Sequence, residues 1–264
     1  MERNSVIPAE VGTSFAVSTG WERLRPVTLV DRAAEAIIAG AAAGLILPGD
    51  RIVEAEVARS LGISRVPVRE ALRMLESQGL LTNEPYKGLR LMRVDAERLR
   101  HLLDVRVALE TAAARAVLVR NNGRQELRDR LSVRLREMER DAVLGDAYVF
   151  ANADTSFHRE LCVLSGNAVL CKMWEQLARQ LTIIVGLSTL LKSKEEIVDE
   201  HRRLMKVFTE GELDDVVRAL EEHIHTQNEV IDFESLVARQ RAAALPRKRV
   251  LPKAVKQPLP QTPE

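Results

Sequence analysis

The stretch "LPGDRIVEAEVARSLGISRVPVREALRMLESQGLLTNEPYKGLRL", residues 47–91, carries the punctuation that decides how this chain folds. "LPGD" (47–50) reads as a turn, because proline fixes one backbone angle and glycine relaxes the next. A short helix is predicted at about 53–60. "LGIS" (61–64) interrupts it, with Gly62 placed as a C-terminal stop. Ser64 can cap the next helix, "RVPVREALRMLESQ", and Pro67 is tolerated there because it falls in the first turn. Val68, Ala71, Leu72 and Leu75 would pack inward, and Gly79 ends the helix. The period then changes. Leu89 and Leu91 alternate with Arg90 and Met92, and "NEPYKG" supplies turn residues, which predicts a β-hairpin.

Working outward, Val30, Ala33, Ile37 and Ala41 recur at helical spacing from Val27 to about Ala43. Three helices followed by a hairpin over residues 27–94 is the order of a winged helix-turn-helix. Residues 1–26 lack periodicity and are expected to form a flexible arm. In a helix-turn-helix, the N-terminal half of the second helix meets base edges in the major groove. Arg65 and Arg69 are four apart and project from one side of that half. Arginine is the side chain that grips guanine O6 and N7 with two hydrogen bonds. Lys87 and Gly88 at the hairpin tip suit phosphate or minor-groove contact. The bland alternative is a solvated basic helix face, and the specific order of elements weighs against it. Double-stranded operator DNA and a second copy of the chain, in a homodimer, are therefore the expected partners.

Charge sharpens this expectation. The chain of 264 residues has a net charge of +1, but Leu236–Glu264 holds seven basic residues and one acidic, +6, which leaves −5 for residues 1–235. A net-acidic body argues against nonspecific coating of nucleic acid, so any DNA-binding charge must be locally placed. Cys162 and Cys171 match no zinc-ligand spacing and read as reduced, buried thiols. The longest uncharged apolar run, "LTIIVGLSTLL" (181–191), is too short to span a bilayer. The N-terminus has no apolar signal region, so a cytoplasmic protein without a membrane partner is expected.

After Asp95 every segment reads as helical. Six are predicted, at roughly 96–120, 124–143, 147–165, 167–191, 194–210 and 212–241, separated by short breaks such as "NNG" (121–123) and "SGN" (165–167). Short breaks between long helices imply an antiparallel bundle, assigned to 95–241. Residues 242–264, with Pro246, Pro252, Pro258, Pro260 and Pro263 among scattered Lys and Arg, are expected to be a disordered basic tail. The fold class is thus mainly α, a winged helix-turn-helix followed by an antiparallel six-helix bundle.

The bundle helices share an oddity. Their apolar stripes are each interrupted by ionisable groups: Phe150, Asp154, Phe157, Leu161 in one, with His158 beside Asp154 on the same face; Ile197, His201, Leu204, Phe208 in a second; Leu213, Val216, Leu220, His223, Gln227 in a third. A lone histidine in a core stripe is usually just hydrogen-bonded. Three histidines and an aspartate on inward stripes of one bundle are better satisfied together by one divalent metal. Three neutral imidazoles and a carboxylate favour Zn²⁺, with Ni²⁺ or Mn²⁺ compatible. His101 and His225 fall off the stripes and read as surface residues. Arg106 also interrupts a stripe, Leu99, Leu103, Arg106, Leu109, Ala113. It either pairs with Glu110 or another buried carboxylate as a structural bridge, or meets an anionic effector beside the metal.

Residues 27–94 resemble the DNA-binding domain of GntR-family transcriptional regulators. The shared pattern is a PG turn, an "E..LA..LGVSR.PVREAL..L...GL" core, and a glycine in the wing. The resemblance implies base contacts from Arg65 and Arg69, a phosphate contact from Ser64, and approach of Gly88 to the minor groove. Some relatives carry a further base-reading arginine where this chain has Ala55. Residues 96–235 resemble, more loosely, the FCD ligand-binding domain of the FadR subfamily. The matching text is "RVALE", "D..FH..L" (154–161), "EH..LMKVF..GE" (200–212) and "RALEEHI" (218–224). Metal-binding members of that group place ligands at the positions of Asp154, His158, His201 and His223, and six bundle helices match its shorter variant. This resemblance implies a metal-dependent sensor of a small carboxylate or sugar acid that controls operator binding, most simply as a repressor. The rival readings are a metal-dependent hydrolase fused to a DNA-binding domain, and a DNA-binding protein with a purely structural metal. No HExxH motif, nucleophile elbow or general base beside the ligands favours the hydrolase.

Overall fold

The computed structural model of the chain describes residues 28–120, 123–229 and 232–243. The expected arm, 1–26, and the tail from residue 244 onward lie outside the described residues. Helix α1 (Leu29–Ala42) opens with a capping box in which Thr28 and Asp31 satisfy each other's backbone N–H groups. The "LPGD" turn follows, closed by Asp50 Oδ2 accepting from the Leu47 N–H at 2.9 Å. Helix α2 (Glu54–Leu61) stops at Gly62, whose φ of +67° is a left-handed conformation that glycine adopts without strain. Helix α3 (Arg65–Ser77) buries Val68, Ala71, Leu72 and Leu75. Strands β1 (Leu81–Glu84) and β2 (Gly88–Leu91) pair antiparallel with Leu81 opposite Leu91 and Glu84 opposite Gly88. The "LPGD" segment lies along the other side of β2, with Ile52 N–H donating to Leu89 O at 2.8 Å.

The helical domain comprises α4 (Ala96–Leu118), α5 (Gly123–Leu144), α6 (Ala147–Leu164), α7 (Ala168–Ser188), α8 (Lys194–Glu210), α9 (Leu213–Glu229) and α10 (Phe233–Ala243). Helix α6 is central: α4, α5, α7 and α1 all pack on it. The run Gln180–Ser188 is buried on every side of α7 because α1 covers the face that the bundle leaves open. That accounts for its uniform apolarity, and no described helix is long and apolar enough to cross a membrane.

Several local expectations are corrected. The last predicted helix, 212–241, is two helices, and Asp232 restarts the second by accepting from the Ser235 N–H at 2.9 Å. Helix α10 reaches Ala243, so the segment assigned to the tail is helical for its first two residues. Met92 is buried as well as Leu91, because β2 ends at Leu91 and the Met92 N–H turns to Leu80 O at 2.8 Å. Cys162 is buried as expected, whereas Cys171 is only half-buried.

The DNA-binding and helical domains meet through α1 on α6 and α7. An added Cβ at Gly186 of α7 would lie 2.5 Å from Ala42 Cβ and 2.7 Å from Ala42 O of α1. Gly186→Ala gains helix propensity of about 1 kcal/mol, yet overpacking of this kind typically costs about 1–3 kcal/mol. Net destabilisation in urea denaturation is the expected outcome; a stabilised variant would mean the two helices do not approach this closely. Polar bonds fasten the end of α3. Gln180 Nε2 donates to Gln78 O at 3.1 Å, Arg179 Nη1 to Gln78 Oε1 at 2.9 Å, and Arg98 Nη2 to Gly79 O at 3.0 Å.

Candidate metal centre and nucleic-acid interface

On the DNA-binding domain, the Gly62 turn sets α3 across α2 with its N-terminal half facing outward. Arg65 is exposed there. Arg69 is half-exposed and bound by two nearly parallel hydrogen bonds to Glu54 of α2, Nε to Oε2 at 2.9 Å and Nη2 to Oε1 at 2.8 Å. This pairing holds the Glu54 carboxyl below its ordinary range. Ser64 occupies the N-cap position of α3, but its hydroxyl makes no capping bond, which corrects the expectation that it caps the helix. At the wing tip, Pro85 sets one corner and Tyr86 takes φ +62°, fully exposed. Lys87 Nζ lies 3.4 Å from Glu84 Oε2, and Gly88 has φ +77° beside the Arg51 side chain. Ser64, Arg65 and Arg69 thus lie at the N-terminal half of α3, and Lys87 and Gly88 lie at the wing tip. Sequence reading passed over Glu54. The signal available was a carboxylate in the first turn of α2, before a helix whose arginines lacked a partner.

In the helical domain, the stripes converge. His158 Nε2 stands 3.1 Å from His201 Nε2 and 3.4 Å from His223 Nε2. Among the described residues these three histidines form the group whose donor atoms all lie within 4.8 Å of one another, as a metal ion needs. His158 and His201 are fully buried, and His223 is the least enclosed of the three. Asp154 adjoins them from the His201 side, its Oδ1 3.3 Å from His201 Nε2, without belonging to that tighter group.

Outer partners fix the rings. His201 Nδ1 faces Ile197 O, an acceptor only, at 2.8 Å, so Nδ1 carries the proton. His158 Nδ1 faces Glu110 Oε2 at 2.7 Å, with the same consequence. Burial would raise the Glu110 carboxyl, but the charges of His158 and Arg106 outweigh it and bring it to about 2. That carboxylate also accepts from Arg106 Nε at 2.8 Å and from Trp174 Nε1 at 3.0 Å. Phe157 packs edge-on against His158 and His201, with ring centroids 5.3 and 5.0 Å away. Imidazoles oriented from behind by a carboxylate and a carbonyl are the usual support of a metal site.

The donor chemistry fits a cation. Burial pushes His201 down to about 4 and His223 well below its ordinary value, so both rings are neutral near pH 7 and release no proton on binding metal. With Nδ1 protonated on both rings, the Nε2 atoms of His158 and His201 face each other at 3.1 Å, and that contact needs a proton on one of the two nitrogens or a metal ion between them. Asp154 adds the second sign. Both its carboxylate oxygens are buried, and neither accepts a hydrogen bond. Leaving such a group unsatisfied costs about 1–3 kcal/mol or more.

Arg106 is placed in the buried bridge to Glu110, one of the two roles the sequence left open. His101 is exposed. His225 is half-buried, 3.9 Å from Asp104, and stands apart from the histidine group. Sequence reading missed the supporting roles of Glu110, Trp174 and the Ile197 carbonyl. Glu110 was visible as the i+4 partner of Arg106, whereas nothing in the sequence points from Trp174 to Glu110.

Comparison with known proteins supports the two-part reading. Residues 29–91 match the gntR family of bacterial regulatory proteins, and residues 101–226 match the FCD domain. The chain is 29% identical over 203 residues, 77% of its length and 88% of the relative's, to a probable D-xylose utilization operon transcriptional repressor of Paenarthrobacter nicotinovorans. It is 30% identical to an HTH-type transcriptional regulator in an unstable DNA locus of Streptomyces ambofaciens, covering 68% of this chain and 75% of that one. The solved structure of Escherichia coli McbR/YncC superposes with a TM-score of 0.61 at 21% identity, covering 81% of this chain and 99% of that one. A winged helix-turn-helix followed by a helical domain is the shared fold. The chain belongs to the GntR family of transcriptional regulators, with an FCD domain behind its DNA-binding domain.

Proposed function

We propose that this regulator represses transcription by holding operator DNA as a homodimer, and that a small carboxylate or sugar acid bound at a divalent metal in the helical domain changes that hold. The carrying observation is the convergence of the His158, His201 and His223 rings, whose donor atoms all lie within 4.8 Å of one another, with the Asp154 carboxylate, which accepts no hydrogen bond, beside them. Those four residues would hold the metal, Zn²⁺ first by ligand type and Ni²⁺ or Mn²⁺ next. A metal with this ligand set keeps open positions at which an anion can replace water. Arg106, engaged by Glu110 through Nε, offers its terminal nitrogens to the same anion. The Paenarthrobacter relative is named for a sugar operon, which supports an effector derived from a sugar.

On the DNA side, Arg65 and Arg69 read base edges, Ser64 and Lys87 meet phosphates, and Gly88 lets the wing backbone approach the minor groove. The coupling has a physical route. Helices α4 and α7 supply Glu110 and Trp174 beneath the histidines, and the same helices supply Arg98, Arg179 and Gln180 around the end of α3. A ligand that tilts α4 or α7 moves the two recognition helices of a dimer relative to half-sites about 34 Å apart. By linkage, the effector's preference between the two arrangements sets the whole effect, typically about 1–3 kcal/mol.

Arg69→Ala is expected to weaken specific operator binding about tenfold while leaving nonspecific binding nearly unchanged. Competition binding with scrambled duplex checks it. The sensor itself is tested by titrating small carboxylates and sugar acids into metal-loaded protein and into EDTA-treated protein, reading operator affinity. A compound that shifts affinity only in the loaded protein supports the proposal. Metal retention without any such compound would favour a structural metal instead.

A further inference from the structure

We infer that Glu54 is a positioning residue for DNA reading: it holds the side edge of the Arg69 guanidinium so that the end edge is presented to a guanine of the operator. The inference rests on the proposal that Arg69 reads a base edge. Its basis is which donors the bridge consumes. A guanidinium has five N–H donors in a planar fork. Glu54 takes the Nε–H and one N–H of Nη2, at 2.9 and 2.8 Å. Both hydrogens of Nη1 and the second of Nη2 remain, and one from each nitrogen points out along the end of the plane. Two parallel donors on that end match the O6 and N7 acceptors that guanine alone offers side by side in the major groove.

The neighbouring arginines provide the contrast. Arg65, one turn earlier, makes no hydrogen bond or ion pair within the described residues. Arg73 makes a single exposed contact, Nη1 to Glu70 Oε1 at 3.1 Å. Arg69 alone of the three is bound by two bonds from a different helix. Glu54 is well placed for this, since it opens α2, and the left-handed turn at Gly62 brings α3 across it. A free arginine side chain surrenders considerable rotamer freedom when it docks. An arginine already held in plane loses less, and it can meet only a partner lying in that plane. Glu54 thereby converts a flexible cation, able to settle on any phosphate, into a directional reader. A carboxylate so near the DNA also repels phosphates, which opposes what positioning adds to total affinity, so the diagnostic effect is in the base preference.

Selection from a randomised double-stranded DNA library by full-length wild type, Glu54→Ala, Glu54→Gln, Arg69→Ala and the Glu54→Ala/Arg69→Ala double variant, followed by sequencing, tests this. Circular dichroism confirms that each variant is folded. Arg69→Ala should lose guanine preference at one position per half-site by roughly tenfold or more. Glu54→Ala should flatten that same position by about tenfold and leave the others intact, with Glu54→Gln intermediate because its amide offers a single acceptor. The double variant should be no flatter there than Arg69→Ala. If Arg69→Ala leaves the base profile unchanged, base reading by Arg69 fails and takes the inference with it. If Arg69→Ala flattens the position and Glu54→Ala does not, base reading stands and the positioning role is overturned. A uniform rise in affinity for all duplexes in Glu54→Ala, with an unchanged profile, would make Glu54 a simple mask over Arg69 and would equally overturn it.

Discussion

Purified His201→Ala is expected to carry no stoichiometric divalent metal, whereas His225→Ala retains as much as wild type. His201 sits where its loss is least replaceable. Its Nε2 lies between His158 Nε2 at 3.1 Å and Asp154 Oδ1 at 3.3 Å, and its ring is fixed by Ile197 O. Removal leaves two histidines and a carboxylate around a gap, and the mutual orientation that makes the site selective is gone. His225, beside Asp104, supplies no atom to the group. Elemental analysis after gel filtration gives the first readout. A thermal melt with and without EDTA gives the second, because metal that binds only the folded state stabilises it by about 2.7 kcal/mol at a hundredfold excess over Kd. Wild type should lose that increment in EDTA and His201→Ala should show none. Equal metal in both variants would mean the ligand set is wrong.

Arg106→Met is expected to cost about 3–5 kcal/mol of folding stability, the usual consequence of stripping one partner from a buried ion pair. The cost falls on Glu110, which is wholly buried and serves Arg106, His158 and Trp174 together. Without the guanidinium its carboxylate keeps only the contacts to His158 and Trp174. Two-state urea denaturation measures the loss. The paired variant Arg106→Met/Glu110→Gln should recover part of it, since the uncompensated charge is then gone. A change within about 0.5 kcal/mol for the single variant, the range of an ordinary surface substitution, would show that the bridge carries no structural load.

Legibility followed the physics. Turns and caps are local, so "LPGD", "LGIS" and the Gly79 stop could be read from a few residues, and the helix-turn-helix with its hairpin followed. Amphipathic stripes repeat over several turns, so the bundle and its interrupting Asp154, His158, His201 and His223 were also visible. Partnerships across helices were not. That Arg69 meets Glu54 fifteen residues away, or that Trp174 donates to Glu110, depends on how helices cross, and no spacing rule encodes it. The break between α9 and α10 was missed for another reason: no glycine or proline marks it, and the interruption is signalled only by Asp232 acting as a new cap.

Helix α10 folds back onto the DNA-binding domain. Arg241 Nη2 donates to Pro48 O at 3.0 Å and lies 3.4 Å from Asp50 Oδ1, while only Phe233 and Leu236 anchor the helix by burial. So little buried apolar surface puts α10 at the weak end of the protein's hierarchy of local openings, well below the free energy of global unfolding. When it lifts away, the "LPGD" turn and the amides that ladder it to β2 lose their outer cover while the rest of the molecule stays folded. Hydrogen exchange at Gly49, Ile52 and Leu91 should therefore report the detachment of a segment almost two hundred residues downstream, and trimming the chain before Phe233 should speed exchange at those amides without moving the amides of α6.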